Sequence, residues 1–190
     1  MARKLALIVF VAACGGSAPR PAPLVTTPPP PPPAAAVADD GEDFGPLGIG
    51  ADFASYRKVT PEPYLSRVHG NRWVNVYVTD PGAKAYVDGG AIPVGTVVVK
   101  ASFVSGPDGQ PSSVAGPIFV MQKRAKGYDP DHDDWWYAIH WAAPPPAEAA
   151  KLGGPFYWRG RSERVAYCWD CHESYDRGLG GLVPSSLLPR

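Results

Sequence analysis

The stretch Val94-Gly-Thr-Val-Val-Val-Lys-Ala-Ser-Phe-Val104 reads as a β-strand, and the rest of the fold is read outward from it. β-Branched residues crowd it, Pro93 precedes it, and Gly106-Pro-Asp-Gly109 closes it as a turn. Residues 72–79 (RWVNVYVT) show the same enrichment, alternate apolar with mixed residues, and stop at Asp80-Pro-Gly82. Residues 117–123 and 135–141 supply two more strands. The breaks between strands are short, which suits antiparallel neighbours. Before them, residues 45–54 are loop-like and residues 55–60 open a first element. Residues 83–87 read as a short helix halted by Gly89-Gly90, and 147–152 as one or two helical turns. The expected class is mainly β (α+β), an antiparallel sheet with a few short helices.

Lys100 interrupts the apolar strand on the face it shares with Val98 and Thr96. Alternation alone assigns it to neither surface nor interior.

The N-terminus has the form of a targeting segment. Arg3 and Lys4 give a positive start, residues 5–11 an apolar run, and Val11-Ala12-Ala13 a small-residue cleavage site. That run is too short for a bilayer span of about 20 residues. Val-Ala-Ala-Cys14 resembles a bacterial lipobox, so residues 1–13 are expected to be a lipoprotein signal peptide and Cys14 the lipidated first residue. Gly15, rather than Asp, follows the cysteine, which favours a periplasmic protein anchored at the outer membrane. Residues 14–43 then form a tether. Many of the 24 prolines fall there, with residues 28–33 an unbroken run, and such a run favours extended polyproline II. Residues 44–190 remain for one domain. The formal net charge of zero gives no argument for nucleic acid or an anionic membrane surface.

Toward the C-terminus stands Cys168-Trp-Asp-Cys-His172. Covalent haem attachment needs two thiols that reach the two vinyl groups of one porphyrin edge. It also needs an imidazole from the same segment for the iron, and C-x-x-C-H supplies both. Zinc wants four ligands, usually from a second paired motif, and His69, His132 and His140 form none. A thioredoxin-like dithiol belongs beside an early βαβ unit, and a structural disulfide is the plain alternative in an oxidising compartment. An exported chain suits haem c, one group held covalently. Met121, His69, His132 and His140 are the candidates for a sixth iron ligand. The acidic run Asp129-Pro-Asp-His-Asp-Asp134 departs from a calcium loop, with Asp134 at the glycine position and His140 at the final glutamate. It reads as a solvated turn before the aromatic run Trp135, Trp136, Tyr137 and Trp141, which suits core or haem-edge packing.

Taken together, the short stretches from Tyr56 to His172 resemble the cytochrome P-460 family. They are Tyr56-Arg57, His69-Gly-Asn71, Val76-Tyr-Val78 with residues 83–86, Pro93-Val-Gly-Thr-Val-Val-Val-Lys100, Val120-Met-Gln-Lys-Arg124, Gly127-Tyr-Asp-Pro130 and the C-x-x-C-H itself. The resemblance implies a mainly β haem c fold, shared with β-type cytochromes c′. Cys168 and Cys171 would carry the porphyrin and His172 would be the proximal iron ligand. Lys100 matches the lysine that bonds to the porphyrin in hydroxylamine-oxidising members, although Ala101 follows it where glutamate is common. The implied function is binding or oxidation of a small nitrogen species, hydroxylamine or nitric oxide, with a redox partner and a possible homodimer. The alternatives are nitric oxide binding or sensing without turnover, and plain periplasmic electron transfer.

Overall fold

The computed structural model describes residues 39–175 and 178–179. The expected signal peptide, Cys14 and most of the proline-rich tether lie outside these residues. Seven strands form one sheet: β1 (Arg57–Lys58), β2 (Tyr64–Ser66), β3 (Arg72–Val78), β4 (Val97–Ser105), β5 (Pro111–Lys123), β6 (Trp135–Trp141) and β7 (Phe156–Arg159). Their order is β1-β3-β4-β5-β6-β7, with β2 also paired to β3. Every pairing is antiparallel. Three short helices join them: α1 (Asp80–Asp88), α2 (Pro146–Leu152) and α3 (Ala166–His172). Among the described residues no helix is long and apolar enough to cross a membrane.

Both faces of the sheet are covered, and the strands show why. Every residue of β6, Trp-Trp-Tyr-Ala-Ile-His-Trp, is buried. Successive side chains point to opposite faces, so a strand buried along its whole length must be packed on each. One face stacks Val76, Val98, Met121, Tyr137 and Ile139, and Ala83 and Tyr86 of α1 and Cys168 and Trp169 of α3 pack against it. The other stacks Val99, Val120, Trp136 and Ala138 under Leu47, Ile49 and Phe53 of the preceding loop.

Some elements differ from their sequence reading. Asp80-Pro-Gly82, read as a turn, is the first turn of α1, with Pro81 and Asp80 where a helix start tolerates proline and favours acid. The strand read from residue 94 begins at Val97, because Gly95 adopts φ +87° in the turn before it. The cysteine segment, which the sequence leaves as a loop or a helix, is a helix.

Composition placed residues 39–43 in the tether, yet they belong to the domain. Gly41 bridges Arg159 on the open edge of β7. The Trp136 indole donates to the Asp39 carbonyl at 2.8 Å, and the Ser162 hydroxyl bonds Glu42 at 2.7 Å. Asp43 accepts from the buried Arg159 guanidinium at 2.9 Å, and this contact holds the Asp43 carboxyl below its ordinary range. An edge strand and a buried cation both need partners, and this acidic segment supplies them.

Candidate functional site

Helix α3 explains why C-x-x-C-H is a usable unit. Positions three and four apart share a helix face, so Cys168, Cys171 and His172 project together. The helix is entered through a 3₁₀ turn, Glu163–Val165, where the Ser162 hydroxyl accepts from Arg164 N–H at 3.0 Å. Val165, fully buried, pins that entry to the core.

The three side chains line one small, largely apolar pocket. The sheet contributes Lys100 from β4, Phe119 and Met121 from β5, and Tyr137 from β6. The opposite wall is the 3₁₀ turn Arg67–His69, which brings Val68 and His69. Val68 and Tyr167, both exposed, mark the mouth.

His172 is buried and held at one nitrogen. Its Nδ1 donates to the Gly178 carbonyl at 2.8 Å, leaving Nε2 with a free lone pair, and the Tyr137 ring stands edge-on at 5.4 Å. Burial, then the Lys100 charge, lowers the His172 pKa to about 4. This is the arrangement of a metal-binding imidazole, one nitrogen fixed by a carbonyl and the other presented.

Lys100 is 3% exposed. Burial brings its pKa down to about 8, and the charge that the Cys168 and Cys171 sulfurs carry when ionised acts the other way. At neutral pH it therefore remains an ammonium, a donor only. Its Nζ lies 3.3 Å from His69 Nε2, so that nitrogen accepts. Nδ1 then carries the proton and donates to Ser66 Oγ at 2.7 Å. Burial, followed by the charges of Lys100 and His172, drives the His69 pKa down to about 2. Both α3 cysteines are free thiols. Burial pushes Cys168 up to about 12 despite the opposing pull of Lys100, so it is protonated at neutral pH.

The structure sorts the other sequence candidates. His140 lies on the opposite face, where Nε2 donates to the Gly45 carbonyl at 2.9 Å and Phe44 stacks on the ring. His132 is outside the cavity, with Asp129 2.9 Å from its Nδ1. Met121 lines the cavity and is also core. Of the aromatic run, only Tyr137 reaches the site. In the acidic stretch, Asp134 Oδ1 accepts from Gly127 and Asp129 N–H groups, which makes a self-satisfied turn. Ser66 and Gly178, which fix the two cavity imidazoles, had no motif of their own in the sequence.

This donor set fits haem c. Two thiols one helical turn apart, an adjacent imidazole with a free Nε2, and walls of Val98, Phe119 and Met121 line the cavity. Among the described residues no three His, Cys, Asp or Glu side chains group as a metal-ion site. No protein-family model matches the chain, and no curated protein matches it.

Proposed function

We propose that this chain is an exported mono-haem c protein of the cytochrome P-460 type that binds or oxidises hydroxylamine or nitric oxide. The observation that carries the reading is convergence: Cys168, Cys171, His172 and Lys100 meet in one mostly apolar cavity. Cys168 and Cys171 would hold the porphyrin by thioether bonds, and His172 Nε2 would hold the iron. Bound haem supplies a coordination position for the substrate nitrogen and takes up its electrons.

The chain's own groups prepare that position. The Gly178 carbonyl fixes the His172 tautomer and raises the basicity of Nε2. Lys100 holds an ammonium among apolar side chains, where its field is weakly screened, and it stands where the resemblance puts the porphyrin cross-link. Phe119, Val98 and Met121 give it apolar walls. A lipid anchor at Cys14 and the proline-rich tether would keep the domain in the periplasm at the outer membrane, with a redox partner receiving electrons.

One feature favours binding without turnover as the second reading. No carboxylate lines the cavity, so a carboxylate base for hydroxylamine protons is missing among the described residues. The test is to export the protein with haem attachment and titrate it with nitric oxide and with hydroxylamine plus an electron acceptor. Turnover supports the enzyme, and nitric oxide binding alone supports the sensor. A haem spectrum that neither ligand changes leaves only electron transfer.

A further inference from the structure

We infer that His69 is a second protein ligand to the haem iron, closing the position opposite His172 in the resting protein. The inference rests on the haem c reading of the cavity and names what an incoming nitrogen ligand must displace.

Separation is the first argument. The His69 and His172 ring centres are 6.4 Å apart within one cavity. Two metal–imidazole bonds of about 2 Å, with about 1 Å more from each nitrogen to its ring centre, need roughly 6 Å. A histidine that instead hydrogen-bonded a ligand on the iron would stand about 2–3 Å farther away. The observed spacing matches direct ligation.

The second argument is how the rings are held. Each is anchored through Nδ1, His172 to the Gly178 carbonyl and His69 to Ser66 Oγ, and each keeps Nε2 for the cavity. On His69 that lone pair already meets a cation, the Lys100 ammonium at 3.3 Å. Ser66 is itself buried, so the anchor resembles the partners that orient metal-bound imidazoles.

The third argument is elimination among the side chains that can ligate iron. His140 and His132 lie outside the cavity and are engaged elsewhere. Met121 remains, pointing from β5 into the core cluster opposite Val98 and Tyr137. It has none of the positioning that His69 has.

Small ligands would therefore bind by displacing His69. The Arg67–His69 turn that carries it is a short surface segment with Val68 exposed. Apparent affinity for an exogenous ligand is reduced by the fraction of protein in the open state.

Ferric holoprotein examined by low-temperature electron paramagnetic resonance and absorption should be low-spin. His69→Gly should convert it to high-spin, added imidazole should restore the low-spin signal, and nitric oxide should bind the variant about tenfold tighter or more. His69→Gln, which keeps a polar side chain of similar size, should give the same conversion if the glycine variant does not fold. A high-spin wild-type protein overturns the inference. So does a low-spin signal that survives His69→Gly but disappears in Met121→Leu. Covalent haem is measured on the same samples. Haem present with an unchanged spin state defeats this inference alone, whereas its absence defeats the proposed function as well.

Discussion

Lys100 Nζ lies 3.3 Å from His69 Nε2, and the contact ties strand β4 to the turn behind β2. An ammonium here has lost most of its water, so in the haem-free chain it opposes folding. Its pKa falls from 10.5 to about 8 on burial, which amounts to a cost on the order of 3 kcal/mol at neutral pH. The unfolded chain binds more protons than the folded one between those values, so wild-type stability rises with pH across that window. Lys100→Met should raise the urea midpoint of the haem-free chain at pH 7, and the gain should vanish by about pH 10.5. A methionine variant less stable at pH 7 contradicts this account of the lysine.

Acid should act through the two cavity histidines. Their folded pKa values, about 2 for His69 and about 4 for His172, lie below the ordinary 6.5 because burial disfavours the charged ring. Their contribution is present above pH 6.5 and is lost as pH falls toward about 4. The haem-free protein should lose stability over that interval, and His69→Phe should make the loss shallower. Urea unfolding measured between pH 7 and pH 4 reads both effects.

Gly82 sits in α1 facing the sheet, and two effects compete there. Helix propensity alone favours alanine by about 1 kcal/mol. A Cβ at this position would run into the Thr96 side chain, and Thr96 is buried. Overpacking of this kind costs about 1–3 kcal/mol, so the clash wins. Gly82→Ala should lower the denaturant midpoint, whereas a rise would mean that α1 packs less closely on the sheet.

The acidic segment can be tested by truncation. A chain starting at Gly45 loses the Asp43–Arg159 contact, the Asp39 carbonyl that meets Trp136 and the Glu42–Ser162 bond. It should melt several degrees below a chain starting at Asp39. Equal melting temperatures would return these residues to the tether.

Where the sequence reading succeeded and failed has a common physical cause. Strand β6 was read with its true ends because seven apolar or aromatic residues in a row have no competing period. Strands β2 and β7 were missed because three or four residues beside Pro63 or Pro155 carry too short a pattern. The same two-sided packing that made β6 plain hid Lys100. With apolar residues on both faces of β4, alternation cannot say which side chain is inside. The C-x-x-C-H spacing was legible as a unit since one helix carries it. His69 was visible only as one of four possible ligands, because the β2–β3 turn delivers it to the cavity from a distant part of the chain. Sequence distance gives no hint of that meeting.

The central claim is that Cys168 and Cys171 carry a haem. It is tested most directly by the mass of the denatured exported protein, expressed with a haem-attachment system. The account predicts a mass greater by one haem, lost when both cysteines are changed to alanine. A wild-type mass equal to the bare polypeptide, with both thiols open to alkylation, would contradict it.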